Sequence, residues 1–164
     1  MIHTNFLSKK NYNTIYNTMS DENFPWYYTN YTLNNVCNKL FHYQLIHIFY
    51  QDNKVNSKYF KILKPLLEKI KFNTLIRIKA NLNPISQDLI QFGYHVDDIN
   101  GVSNSTYQSV IYYMNSNNGY TKIKNKQIKS KANTAVFFPS NTPHYATNST
   151  NCNNRMVINI MYDL

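Results

Sequence analysis

The chain reads as a mainly β protein, an antiparallel sandwich or barrel with helical segments ahead of it. Three observations predict this. From residue 74 the apolar residues alternate with period two through a series of short segments. Turn-forming dipeptides separate those segments. The one clear helical periodicity lies before residue 74. Short strands in succession, with no helices between them, pair as antiparallel sheets.

The elements follow in order. Residues 1–23 are polar and fit either a loosely ordered segment or a short helix. The aromatic run Phe24 to Tyr28 is expected to pack on the core. Residues 33–42 are compatible with a helix, and Leu45 to Tyr50 with a strand. Ser57 is placed to cap an amphipathic helix whose apolar residues Phe60, Leu63, Leu66, Leu67 and Ile70 recur at helical spacing, with lysines opposite. Strands are then expected at 75–82, 94–97, 108–115, 119–123, 134–138, 144–146 and 155–162. The intervening turns are Asn83-Pro84, Asn100-Gly101, Asn118-Gly119 and the Pro139 to Pro143 stretch.

A length of 164 residues favours one domain, 1–164, with 1–73 as support and 74–164 as core. Only two cysteines occur, Cys37 and Cys152, in no metal-finger spacing, which suits a reducing compartment. The first residues lack the apolar stretch of a signal peptide, and no apolar run is long enough to span a bilayer. The expectation is a soluble cytoplasmic protein with no membrane partner. The formal net charge of +9 raises the possibility of a nucleic-acid partner. Composition accounts for it more simply: 27 Asn, 15 Tyr and 15 Lys against three Gly suggest an AT-rich coding bias, with lysine as the default surface residue. The lysines are scattered, densest from Lys122 to Lys131 in an expected hairpin. The sequons at Asn30, Asn104 and Asn148 are what so much asparagine yields by accident.

His95 and Asp97 lie two apart on an expected strand, so their side chains project to one face. Between Leu89 and Tyr162 the only acids are Asp97 and Asp98. His144 follows Pro143 at the start of a later strand. Two imidazoles and a carboxylate on one face of an ion make the facial triad of non-haem iron(II) oxygenases, which leaves positions open for a chelating co-substrate and oxygen. An H-x-D alone is weak, because a lone histidine near a strand is more often a satisfied structural residue. The two arginines add weight, since a planar fork is the preferred partner of a carboxylate. Arg155 opens the last strand, where Arg155, Val157, Asn159 and Met161 share a face. If Arg155 points inward, so does Asn159.

With these residues in place, 75–162 resembles the 2-oxoglutarate- and iron(II)-dependent dioxygenases, especially their prolyl-4-hydroxylase-like branch. The matching elements are YHVD at 94–97, VIYYMN at 110–115, Gly119, FFPSNTPH at 137–144, and Arg155 leading RMVINIMY. The resemblance implies a double-stranded β-helix (jelly-roll) core with N-terminal flanking α-helices. It implies that His95, Asp97 and His144 hold Fe(II), and that Arg155 binds the distal carboxylate of 2-oxoglutarate. Tyr113 supports that carboxylate in the same scheme, although a core role suits a chain with 15 tyrosines equally. Asn159 joins the co-substrate residues through its shared face. The family often places a polar residue on the strand before H-x-D against the co-substrate; Arg77, Lys79 and Asn81 share that face, and the sequence does not single one out. The segment between His144 and Arg155 is slightly longer than the family's, so residues 147–154 must absorb the excess.

The activity implied is oxidation of a small-molecule or peptidyl substrate with O2 and 2-oxoglutarate, releasing succinate and carbon dioxide. Because neutral imidazoles bind the ion, activity is expected to fall below a pH of about 6.5. Three other readings compete: a nucleic-acid demethylase of the same fold, a metal-free jelly roll used for binding or assembly, and a cupin-like metal enzyme without 2-oxoglutarate.

Overall fold

A computed structural model describes residues 1–30, 42–97 and 106–164. The strands are β1 (Ile2–Thr4), β2 (Tyr27–Thr29), β3 (Gln44–Gln51), β4 (Lys54–Val55), β5 (Thr74–Pro84), β6 (Tyr107–Tyr113), β7 (Tyr120–Ile123), β8 (Lys126–Lys129), β9 (Thr134–Pro139), β10 (His144–Ala146) and β11 (Asn154–Asp163). The α-helices are α1 (Lys9–Ser20) and α2 (Lys64–Leu67). The expected helix over 33–42, but for His42, and the Asn100-Gly101 turn lie outside the described residues.

The strands form two antiparallel sheets, a jelly roll. The larger runs β1-β9-β6-β11-β5-β3-β2, with β4 on β3, and the smaller runs β10-β7-β8. Strand β11 lies between β5 and β6 and pairs along nearly its whole length with both. Its alternation decides the packing. Met156, Ile158 and Ile160 join the main core on the outer face of the large sheet, with Leu63, Leu66, Ile15 and Met19 from the segments that cover it. Val157, on the other face, joins a smaller cluster with Ile111, Val136 and Phe138. Each fully buried large apolar side chain contributes about 1.5–3 kcal/mol. The main core therefore sits behind the sheet and leaves the space between the sheets for polar groups.

The polar N-terminus is ordered. Ser8 caps α1 by accepting from the Asn11 N–H at 3.3 Å, and the Tyr12 hydroxyl donates to the Met114 carbonyl at 2.7 Å. From the aromatic run, Phe24 is buried as expected, while Tyr27 and Tyr28 on β2 are exposed.

Three elements differ from the sequence reading. The helix after Ser57 is a 3-10 segment, Lys58–Leu63, followed by the single turn of α2. Pro65 has no N–H to donate to Lys61, so the first helix cannot continue and a new one starts at that point. Its apolar residues reach the core regardless. Asn83-Pro84 is not a turn: β5 runs through Pro84, opposite Asn154, where a terminal strand position needs no N–H. Residues 94–97 form a single bridge rather than a ladder. His95 exchanges backbone hydrogen bonds with His144, whereas the Asp97 N–H goes to Ser140, inside the Pro139 to Pro143 turn.

His47 on β3 supplies a pH-sensitive element of the core. Its Nδ1–H donates to the Pro25 carbonyl at 2.8 Å, so Nε2 accepts from the Ser57 hydroxyl at 2.7 Å, and Phe24 and Phe49 pack on the ring. Burial lowers its pKa below 6.5, against the opposing pull of the Pro25 carbonyl. The unfolded chain therefore binds this proton first as pH falls. The stability it supports is complete above about 6.5 and declines below that value. Thermal unfolding is expected to show Tm decreasing from about pH 7.5 to about pH 5.5, with a shallower decrease in His47→Gln. An identical slope in the two proteins would remove His47 as a source.

Candidate active site

Between the sheets lies a small, partly open cleft. β5 and β11 line one side. His95, Asp97, β7 and β10 line the other. Arg77, Lys79 and Asn81 of β5 face it together, as do Arg155, Val157 and Asn159 of β11.

His95, Asp97 and His144 converge at one end. Each offers one ligand atom, and these atoms lie within 4.8 Å of one another. The His144 Nε2 is 3.9 Å from Asp97 Oδ2. The bridge between His95 and His144 fixes the two rings side by side, with centroids 4.3 Å apart. The His144 Nδ1–H donates to the Thr142 carbonyl at 2.9 Å, which turns the Nε2 lone pair toward Asp97. His95 Nδ1 faces the Gly93 carbonyl at 3.4 Å, and Gly93 adopts φ 91°, open to glycine and strained for other residues. Asp97 accepts from the Ser109 hydroxyl at 2.6 Å, and an Arg77 nitrogen lies 3.9 Å away.

The electrostatics prepare a cation site. Burial would raise the Asp97 pKa, but His144, the Ser109 hydrogen bond and Arg77 outweigh it and hold the carboxylate ionised. Burial, then the neighbouring His144, pushes the His95 pKa down to about 4. His95 is thus a neutral donor at physiological pH and does not itself impose the acid limit near 6.5 that the sequence suggested. An ion bonded at about 2.1 Å to each donor spaces adjacent donors by about 3 Å. Side-chain adjustments of about 1 Å close the set, and its two nitrogens and one oxygen suit Fe(II). The residues fit the metal.

Arg155 lies deeper, 1% exposed. Its Nε–H donates to Ser130 Oγ at 2.7 Å and an Nη2–H donates to Thr121 Oγ1 at 2.8 Å. The Tyr113 ring stands 5.4 Å from the guanidinium carbon. Among the described residues no carboxylate pairs with Arg155. The buried Tyr113 hydroxyl has no partner in good hydrogen-bond geometry, although Arg155 and Thr121 lie near enough to oppose the upward push of burial on its pKa. Asn159 faces the cleft as expected, but it is tied sideways: its amide donates to Asn81 at 2.9 Å, and Asn81 donates to Gln44 at 2.6 Å.

Sequence reasoning did not assign Ser109, Thr121, Ser130 or the role of Gly119. Ser109 shares the alternating face of Tyr113, and Thr121 follows Gly119 by two, so strand periodicity offered a signal for both. Ser130 offered none. A Cβ on Gly119 would strike the Asn148 carbonyl and lie 2.7 Å from Arg155 Cδ. The long segment after His144 is absorbed by packing: Thr147, Asn148 and Ser149 are buried, Asn148 accepts from the Ile90 N–H, and Asn118 donates to Thr150. The Asn148 sequon is therefore sealed in the folded chain.

Residues 86–163 match the family model described as the 2OG-Fe(II) oxygenase superfamily. No curated protein sequence matches the chain significantly. Several solved structures share its fold. The viral collagen prolyl hydroxylase of Paramecium bursaria Chlorella virus-1, in its 2-oxoglutarate complex, is 13% identical with a TM-score of 0.61, over 100% of this chain and 95% of that one. A prolyl hydroxylase from Trichoplax adhaerens, in complex with a hypoxia-inducible-factor peptide fragment, is 15% identical with a TM-score of 0.59, over 99% and 83%. The α-ketoglutarate-dependent epimerase SnoN of nogalamycin biosynthesis is 10% identical with a TM-score of 0.68, over 99% and 76%. That match covers residues 86–163, just under half of the chain, and the fold of the whole chain is the one found in prolyl hydroxylases. The family match implies Fe(II), 2-oxoglutarate and O2, and the His95, Asp97 and His144 group could hold such an ion. The metal-free reading is set aside. Among the described residues no helix is long and apolar enough to cross a membrane.

Two substitutions test the supports of this site. Gly119→Ala is expected to destabilise the fold by about 1–3 kcal/mol through overpacking against the Asn148 carbonyl and Arg155, measured by urea unfolding. Ser109→Ala, which frees one oxygen of Asp97, is expected to weaken Fe(II) about 10–100-fold in an anaerobic titration, with unfolding little changed. Iron affinity equal to the parent protein would show that Ser109 does not orient the carboxylate.

Proposed function

We propose that this oxygenase hydroxylates a peptidyl or small-molecule substrate in the manner of prolyl hydroxylases, turning 2-oxoglutarate into succinate and carbon dioxide. In this reading His95, Asp97 and His144 hold the iron, Arg155 binds the distal carboxylate of 2-oxoglutarate, and the chain acts as one domain with 74–164 as its catalytic core. The observation that carries the reading is the buried, carboxylate-free guanidinium of Arg155 in the same cleft as the two imidazoles and Asp97. A buried charge without a counterion is costly, and a dicarboxylate spanning the cleft offsets that cost.

The bound ion and its co-substrate supply oxygen activation and C–H oxidation. The chain's own residues do the rest. Ser130 and Thr121 occupy two of the five N–H donors of Arg155 and leave its others for a carboxylate. Tyr113 holds its unpartnered hydroxyl beside the same cation, where it can donate to the same carboxylate. Asn159, held by Asn81, lines the path between that anchor and the metal ligands. Ile111, Val157 and Phe92 line the cleft with apolar surface that limits water around the reacting centre. The peptide complex of the Trichoplax enzyme supports a peptidyl substrate, and SnoN supports a small molecule.

Anaerobic loading with Fe(II), followed by a succinate assay with and without 2-oxoglutarate, tests the activity, because uncoupled turnover does not require the true substrate. Asp97→Ala is expected to abolish succinate formation while unfolding as cooperatively as the parent chain; full turnover would exclude Asp97 as a ligand. Arg155→Gln is expected to weaken 2-oxoglutarate about 30-fold or more, as loss of a buried charge partner does. An unchanged Kd would refute the anchor.

A further inference from the structure

The cleft holds more positive charge than the proposed chemistry uses. With iron and 2-oxoglutarate bound, the two charges of the ion, the two of the dianionic co-substrate, the carboxylate of Asp97 and the guanidinium of Arg155 cancel. Arg77 and Lys79 remain. Both face the cleft from β5. Among the described residues Arg77 has one acid partner, Asp97, at 3.9 Å, and Asp97 is committed to the metal in the proposed function. Among the described residues no hydrogen bond or ion pair engages the Lys79 ammonium. Two uncompensated cations on one face of one strand repel each other and gain from an anion between them.

Their position separates them from the co-substrate anchor. Along β5 the register runs from Asn83, opposite Arg155, through Asn81 and Lys79 to Arg77, opposite Met161. Arg77 therefore lies six residues along the strand from the level of Arg155, roughly 20 Å away at about 3.3 Å per residue. It stands at the Asp97 end, with its side chain 23% exposed. A planar fork in that place suits a carboxylate approaching the metal from outside.

Resting on the function proposed above, we infer that Arg77 and Lys79 form an anion subsite for the substrate, and that the substrate carries a carboxylate next to the carbon that is oxidised. A carboxylate is favoured over a phosphodiester chain because the subsite lies within a small cleft shared with the co-substrate, rather than on an open basic face.

The chain has only two arginines, so each guanidinium Nε–H gives a distinct signal in a nitrogen-15 spectrum, assigned with Arg77→Gln. The protein is loaded with Zn(II), saturated with 2-oxoglutarate, and titrated with acetate, acetamide and inorganic phosphate as probes. The expected result is a saturable shift of the Arg77 signal with acetate and none with acetamide, while the Arg155 signal stays where 2-oxoglutarate put it. Lys79→Met is expected to weaken acetate about tenfold, the loss of one charge-assisted contact. In Arg77→Gln and Lys79→Met the Kd for 2-oxoglutarate, read by calorimetry, is expected to stay within about threefold of the parent, a change under 1 kcal/mol. Equal responses to acetate and acetamide, no response at Arg77, or a response to phosphate alone overturns the carboxylate subsite. Loss of 2-oxoglutarate affinity in either variant as large as in Arg155→Gln also overturns it, by assigning these residues to the co-substrate. If 2-oxoglutarate fails to move the Arg155 signal, the proposed function itself fails, whatever Arg77 does.

Discussion

The site depends on a cation sealed inside a β-sandwich. Arg155 is 1% exposed and faces hydroxyls rather than a carboxylate. Neutral partners satisfy some of its donors but leave its charge uncompensated. Folding tolerates this because the rest of the sheet is strongly apolar on its other face, where Met156, Ile158 and Ile160 of the same strand join the main core. Strand alternation thus puts the stabilising residues and the costly one on opposite faces of β11. Gly119 gives Arg155 room, and the packed segment 147–154 closes the space behind it.

His95, Asp97 and His144, the proposed metal ligands, follow a different logic. They come from a bridge and a turn rather than a long ladder. His95 and His144 are joined by reciprocal backbone hydrogen bonds, and Asp97 is tied to Ser140. Each ligand is then oriented by a second contact: Thr142 for His144, Ser109 for Asp97 and, more loosely, Gly93 for His95. Such contacts fix which nitrogen faces the ion and keep the carboxylate ionised in a half-buried place. The charge pattern of the cleft adds a second theme. The chain is rich in lysine at its surface, yet it places both of its arginines in this cleft. Their separation along β5 and β11 sets a sealed guanidinium deep in the cavity apart from a part-exposed one at its edge.

Much of this was legible in the sequence. The period-two segments after residue 74 located the strands, and alternation from Arg155 placed Asn159 inward. H-x-D with a later histidine picked out three side chains that the fold brings together, because spacing of two determines a common face even where the strand shrinks to one bridge. Other features depended on three-dimensional packing. Pro65 divides a helix whose apolar spacing looked continuous, since spacing does not register a missing N–H. Asn83-Pro84 looked like a turn, but pairing with β11 carries the strand through it. Ser130 could not be foreseen, because it lies just past the end of β8, on the other sheet, with no periodicity linking it to Arg155. Asn159 faced the right way, yet its amide is committed to Asn81, and facing alone does not reveal a partner.

X-ray absorption at the iron edge of the Fe(II)-loaded, 2-oxoglutarate-bound protein tests whether the two imidazoles and the carboxylate share one ion, since it counts the donors around the metal. The account expects two imidazoles and oxygen donors at about 2.0–2.2 Å, with one imidazole lost in His144→Ala. A spectrum with no imidazole scattering, or one unchanged by that substitution, would contradict it.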